Sequence, residues 1–293
     1  MSIDMDAARD FMATHARTLD RRRFELLDGG TDPSGALAAL DGYRNRDGGY
    51  GWGLEGDLRS PESQPAAALH AFEVFAETGP APQAATLCHW LDDVTLADGG
   101  LPMALPVAIT AGSGPWWAGA DPTSSSLQIT SVVAARAHRA AERDPAIANH
   151  PWLARATDYA LTQIEKLEES PGSYGLAFCI QFLDAVHAER PEAQALLERM
   201  FAFVPADGHV PVHGGEEDET LRPLDLAPDP DGAARRLLDP AVIEADLERL
   251  AAGQQEDGGW TVDFVSRSPA GRLDWRGYAT VDAVDVLTRN GRA

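Results

Sequence analysis

The feature that most constrains this chain is a short loop signature that returns along it. It reads Asp47-Gly48-Gly49-Tyr50, Asp98-Gly99-Gly100-Leu101, Asp207-Gly208-His209 and Asp257-Gly258-Gly259-Trp260, with a weaker relative at Gly172-Ser173-Tyr174-Gly175. Aspartate offers a side-chain acceptor to nearby turn amides, and glycine reaches positive φ without a Cβ clash. Each copy therefore predicts a tight loop, and its recurrence points to a repeated supersecondary unit.

The flanks repeat as well. Helical patterns precede the loops at 34–44, 82–95, 151–167, 191–204 and 240–253. A second set, rich in small and aliphatic residues, follows at about 64–77, 123–140, 173–188 and 275–289. Apolar positions recur there at three- and four-residue spacing, as in Leu127, Val132, Val133 and Ala137. Pro65 and Pro122 suit helix starts, and Gly79 and Gly291 suit helix ends. Residues 5–26 read as one further helix that closes against the C-terminal hairpin. No run of alternating strands is visible; Val262-Asp263-Phe264-Val265 is a short ribbon at most. The order outer helix, glycine-rich loop, inner helix predicts an all-α fold, an (α/α)5-6 toroid of helical hairpins in a single domain spanning 1–293. A linear solenoid of hairpins is the alternative. The longest stretch without helical pattern, about 206–238, is acidic and proline-rich and predicts an excursion across one mouth, a lid or a solvated loop.

Composition narrows the function classes. Among 293 residues, 46 acidic side chains face 24 basic ones, a formal charge of -22. Such a surface repels phosphate backbones and argues against nucleic-acid binding. No stretch approaches the roughly eighteen apolar residues of a membrane span, and the acidic start lacks a secretory signal's order, so a cytoplasmic location is expected. Cys88 and Cys179 stand far apart in apolar helical contexts and read as buried thiols, not as a disulfide or metal pair.

The segment Gln254-Gln255-Glu256-Asp257-Gly258-Gly259-Trp260 resembles the QW motif of squalene and oxidosqualene cyclases and the repeats of protein prenyltransferase β subunits; Arg46-Asp47-Gly48-Gly49-Tyr50-Gly51-Trp52 is a looser match. The resemblance implies the terpenoid-cyclase and prenyltransferase toroid, with Gln254 and Trp260 tying outer helix ends together. The catalytic signatures of that superfamily are missing. There is no Asp-x-Asp-Asp; Asp282-Ala283-Val284-Asp285 lacks the adjacent pair, and Asp92-Asp93-Val94-Thr95-Leu96 lacks the third acid of a magnesium motif. No Asp-x-Cys with a downstream histidine offers a zinc set, and Cys88-His89 runs on into Trp90 inside a helix. Cofactor identity stays unknown.

Candidate site residues cluster where the loops meet the inner helices. The first cluster holds Glu55, Asp57 and Glu62 as candidate acids, with Trp52, Arg59 and Gln64 as candidate binding groups. Acids beside an arginine suit acid–base work or a polar head; a salt-bridged loop in which Glu62 or Ser63 caps the next helix is the alternative. Trp116, Trp117 and Asp121 form a second cluster, whose aromatic faces suit apolar or cationic ligands. Tyr174 marks a third start, and Trp275, Arg276 and Tyr278 a fourth. His209-Val210-Pro211-Val212-His213 with Glu216 has metal-ligand ingredients, but proline removes the helical geometry. His70, His138 and His187 read as satisfied or surface-tip histidines on inner helices.

The leading expectation is a terpenoid-cyclase or prenyltransferase-like protein with an isoprenoid or other apolar small molecule in an aromatic-lined central cavity. If it is catalytic, one of Glu55, Asp57 or Glu62 serves as acid, and Arg59 or Arg276 steadies an anionic head. A non-catalytic toroid binding a protein or peptide at its acidic mouth, or an (α/α) glycan-processing enzyme with paired carboxylates, are the alternatives.

Overall fold

A computed structural model describes residues 3–293. Among them lie fourteen α-helices, one 3-10 turn and a single two-stranded ribbon. One series of helices comprises α1 (Met5–Thr14), α3 (Ser34–Asp41), α5 (Pro82–Val94), α9 (Pro151–Glu165), α11 (Ala193–Phe201) and α13 (Pro240–Ala252). A second series alternates with it along the chain: α2 (Thr18–Leu27), α4 (Pro65–Thr78), α7 (Leu127–Ala141), α10 (Ser173–Val186) and α14 (Pro269–Arg289). Three single turns, α6 (Pro115–Ala118), α8 (Pro145–Ala148) and α12 (Pro223–Leu226), fill the connections.

The second series forms the core. Most residues of α4 and α7 are buried, and alanine is the commonest among them, small enough for close helix approach. Helix α2 packs on α4, α4 on α7 and α7 on α10. From α10 the contacts pass to α12, then α13, then α14, and α14 packs on α2, so the succession of neighbours returns to its start. The first series covers this core with one apolar face each; α9 buries Trp152, Leu153, Ala156, Ala160 and Ile164.

The Asp-Gly-Gly loops knit the two series together. In each, the aspartate Oδ1 accepts the amide two residues on, at 3.0 Å in Asp47, 3.2 Å in Asp98, 3.1 Å in Asp207 and 3.2 Å in Asp257. Asp47 and Asp98 also accept Ser63 Oγ (2.8 Å) and Ser125 Oγ (2.6 Å), residues just ahead of the next second-series helix. Each loop then lies on the following first-series helix: Gly48 on Thr86 of α5, Gly99 on Tyr159 of α9, Gly208 on Val242 of α13. The last loop lies on the first helix. A Cβ on Gly258 would stand 2.1 Å from the Ala7 carbonyl oxygen, and its φ is 90°. Only glycine fits there, on both counts.

Gln254 joins two helix ends, and Trp260 anchors the last loop at the end of α13. The Gln254 amide accepts from Asp4 N (2.8 Å) and donates to Asp4 O (2.8 Å) and Gly258 O (3.0 Å), joining the end of α13 to the start of α1. Trp260 is buried, with its indole N–H on Leu250 O at 2.8 Å.

Several sequence expectations need correction. The helix expected over 5–26 is two helices, because Arg17 turns extended (ψ 150°) and sends its guanidinium to Leu54 O at 3.0 Å and to Asp20. The helix expected from 275 starts at Pro269, with Ser268 capping Gly271 N at 2.9 Å. Val262–Val265 forms no ladder; the ribbon instead pairs β1 (Val210–Pro211) with β2 (Thr220–Leu221). The 206–238 excursion therefore has structure of its own. Buried Asp184 ties it down, accepting Ala234 N at 2.9 Å and Arg139 at 2.9 Å. Helix α4 has no side-chain cap: Ser63 serves Asp47 and Glu62 pairs with Ser60. Cys88 and Cys179 are buried free thiols, and burial pushes both up to about 12.

Candidate functional site

A cavity of about 410 Å³ opens where three connections meet: the 50–64 segment, the 102–126 segment and the 261–268 segment. Their meeting is built on Asp57. Its carboxylate accepts Ser266 Oγ (2.9 Å), Arg267 N (3.3 Å) and Trp275 Nε1 (3.0 Å), and its carbonyl accepts Gly114 N at 2.8 Å. Burial raises the Asp57 carboxyl above its usual range, with the Ser266 hydrogen bond opposing. Arg59 adds an ion pair to Asp274, and its backbone N–H donates a hydrogen bond to Ser113 Oγ at 2.9 Å. Charged and buried hydrogen bonds thus join the three connections at Asp57 and Arg59.

The walls are aromatic. Trp116, Trp117, Tyr174, Phe178, Phe264 and Trp275 line the space, with Met103 and Ile129 between them. Phe264 meets Trp275 edge to face at 5.2 Å. The tip of the β1–β2 ribbon covers one side: Tyr174 O–H donates to Glu219 Oε1 at 2.8 Å and so holds the tip against α10.

Behind the wall lies a chain of buried charges. Glu55 lines the cavity; its Oε1 accepts Asp57 N (3.0 Å) and its Oε2 meets His70 Nε2 at 3.1 Å. The other ring nitrogen of His70 meets Glu73 Oε2 at 3.1 Å. Glu73 also takes Arg136 Nε at 3.0 Å and Tyr278 O–H at 2.9 Å, while Arg23 pairs with Glu77. Burial disfavours charge on His70, yet the carboxylates of Glu73 and Glu55 outweigh it and hold the imidazole up to about 9. Burial likewise opposes Glu73, but His70, Arg136 and Arg23 hold its carboxyl well below the usual range. His70 is therefore an imidazolium between two carboxylates at neutral pH.

Six expected residues come together at this cavity: Glu55, Asp57, Trp116, Trp117, Tyr174 and Trp275. The others are spent elsewhere. Trp52 is 57% exposed, with its indole N–H on Asn45 Oδ1 at 2.8 Å. Gln64 uses both ends of its amide on the Leu105 backbone. Asp121 holds its own turn through Thr123. Arg276 grips Asp257 with two bonds, at 2.8 and 2.7 Å, over the Phe11 ring. Tyr278 stands in the charged chain behind the wall, edge-on to His70 at 5.2 Å. With Arg59 on Asp274 and Arg276 on Asp257, neither arginine that was expected to hold an anionic head lines the cavity.

Met103, Phe178, Phe264 and Arg267 in the wall carry no signal in the sequence, nor do Glu73, which pairs with His70, and Arg136, which pairs with Glu73. His209 bonds its own Asp207 carbonyl, and His213 lies at the ribbon tip. Among the described residues no group of three His, Cys, Asp or Glu side chains is arranged to hold a metal ion, and no helix is long and apolar enough to cross a membrane. A shallower groove of about 300 Å³, between Asp98-Gly99 and α9, opens broadly to solvent and brings no comparable cluster of groups together. A scan against protein-family models returns no match to this chain, and neither does a search of curated proteins.

Proposed function

We propose that the chain is an α/α toroid of the prenyltransferase and terpenoid-cyclase kind that binds an isoprenoid or similarly apolar small molecule in the aromatic cavity. The observation that carries this reading is the cavity itself: about 410 Å³, walled by three tryptophans, a tyrosine and two phenylalanines, with the Glu55 carboxylate at its edge. A space of that size and lining suits a small apolar ligand oriented by few polar groups. The succession of helix neighbours that closes through α12 and α13, and the docking of the last Asp-Gly-Gly loop on α1, support the ring. If the ligand is transformed, Glu55 is the residue for proton handling, with His70 positioning it. A paired-carboxylate glycan hydrolase has less support, because Ser266, Arg267 and Trp275 already occupy both Asp57 oxygens.

The test is a ligand panel of isoprenoid alcohols, isoprenoid diphosphates and polyprenols, read by thermal shift and by quenching of tryptophan fluorescence. Binding is expected to raise Tm with the logarithm of ligand concentration over Kd. Met103→Trp, which fills the cavity from its wall, is expected to abolish the shift while the protein stays folded. No shift with any member of the panel overturns the reading.

A further inference from the structure

The wall chemistry says which apolar molecules the cavity prefers, resting on the reading that it is a ligand site. Behind the wall, the cations Arg23, His70 and Arg136 stand against the carboxylates Glu55, Glu73 and Glu77, one for one. The field inside the cavity is then left to Asp57, Glu216 and Glu219 against the single guanidinium of Arg267. That guanidinium lies over the Trp116 ring, 5.3 Å from its centroid. The ribbon tip has few donors to spare: Gly215 N bonds Val212 O, and Glu216 N bonds Glu219 Oε2 at 3.0 Å. An anion entering here would meet three carboxylates against that one guanidinium. A cation would meet tryptophan, whose ring quadrupole attracts positive charge, inside an acidic rim.

We propose that the cavity selects a cationic apolar ligand, an alkylammonium or related amine, with its positive centre among Trp116, Trp117 and Trp275. Arg267 is the internal stand-in for that cation: it rests on the same indole that the ligand's charge seeks. The ligand and Arg267 therefore compete for Trp116. Glu216, exposed and with no side-chain partner fixing it, contributes to the rim that draws the cation in.

Three probes with one tail and different heads test this: hexyltrimethylammonium, hexanol and hexyl phosphate, titrated calorimetrically at low and at physiological salt. The ammonium is expected to bind about tenfold tighter than the alcohol, and the phosphate weakest. Arg267→Ala removes a competing charge and frees Trp116, so it is expected to tighten the ammonium severalfold and leave hexanol unchanged. Glu216→Lys is expected to weaken the ammonium and to narrow the gap to the phosphate. Both positions are exposed, so neither substitution threatens the fold. If hexanol or the phosphate binds as tightly as the ammonium, or Arg267→Ala weakens it, the cation preference falls and the apolar-ligand reading stands. If no probe binds, the apolar-ligand reading falls and takes the preference with it.

Discussion

The side-chain amide of Gln254 both accepts from and donates to the backbone of Asp4, at 2.8 Å each way, across almost the whole length of the chain. The pairing satisfies the Asp4 amide at the start of α1, where the first N–H groups lack internal partners, and adds a second donor to the Asp4 carbonyl, which also takes Ala8 N at 3.1 Å. Gln254→Ala is expected to cost about 1 kcal/mol, the usual worth of partly exposed hydrogen bonds. Gln254→Glu is expected to cost a similar amount, because a carboxylate cannot donate to the Asp4 carbonyl. The diagnostic measurement is amide exchange: α1 should exchange faster in both variants while α7 keeps its protection. Uniform acceleration across all helices would contradict a local clasp.

Gly258 makes the same junction from the loop side. Its φ of 90° and the 2.1 Å approach of a Cβ to the Ala7 carbonyl oxygen leave no room for a side chain. Gly258→Ala is expected to cost about 2–4 kcal/mol, strain and clash together. Gly172, at φ 84° and ψ 167°, also has a backbone that favours glycine but nothing within reach of a Cβ, so Gly172→Ala should cost about 1–3 kcal/mol of backbone strain without the clash. Chemical denaturation of the two variants side by side measures the difference; equal losses would mean that the docking of the loop on α1 contributes nothing.

The contrast between these two glycines shows how far the sequence could be read. The Asp-Gly-Gly motif announces its turn through local chemistry, and the helices through apolar spacing, so the hairpins were legible. The start of α14 was missed although Ser268-Pro269 is a cap signal, because Gly271 and Arg272 blurred the apolar pattern before Trp275. Glu55, Asp57 and the Trp116-Trp117 pair stood out because acids and aromatics concentrate in connections between helices. His70 and Glu73 did not, since one turn of an alanine-rich helix carries them and their partners come from elsewhere. Arg23 lies on α2, Arg136 on α7 and Tyr278 on α14, and only packing brings them together. Arg276 and Asp121 had the right chemistry for a site and spend it on local pairs.

The charged chain behind the cavity gives stability a pH dependence. His70 is held up to about 9 in the folded protein, against about 6.5 for a free imidazole. Its folded-state value is the higher one, so its contribution is complete below about pH 6.5 and is lost as pH rises through 9. The full effect is on the order of 2–4 kcal/mol. Asp225 and Asp282, raised to about 6, finish titrating lower, and the thiols Cys88 and Cys179 add their own loss only as pH reaches the free thiol range of about 8.5–9, which leaves about pH 7 to 8.5 as the window for His70. Denaturation midpoints of the native protein should fall across that window, and His70→Gln should flatten the slope while lowering stability at pH 7. A slope unchanged by His70→Gln would remove the imidazolium from the interior.

Asp57 is the group whose loss should open the cavity. It accepts from a hydroxyl, a backbone amide and an indole N–H that all belong to the 266–275 stretch. Asp57→Ala leaves those donors without a partner in a buried wall, a loss of about 2–4 kcal/mol. Asp57→Asn keeps the shape but turns one acceptor into a donor facing other donors, so an intermediate loss is expected. Residues 262–268 should exchange amide protons faster in both variants, and the emission of Trp275 should shift to the red as its indole meets water. Glu55→Gln is the control. It retains an acceptor for the Asp57 amide and disturbs His70 instead, so its 262–268 loop should keep native exchange. If that loop loosens equally in Glu55→Gln and Asp57→Asn, the wall is held by the whole charged chain and Asp57 has no special part in it.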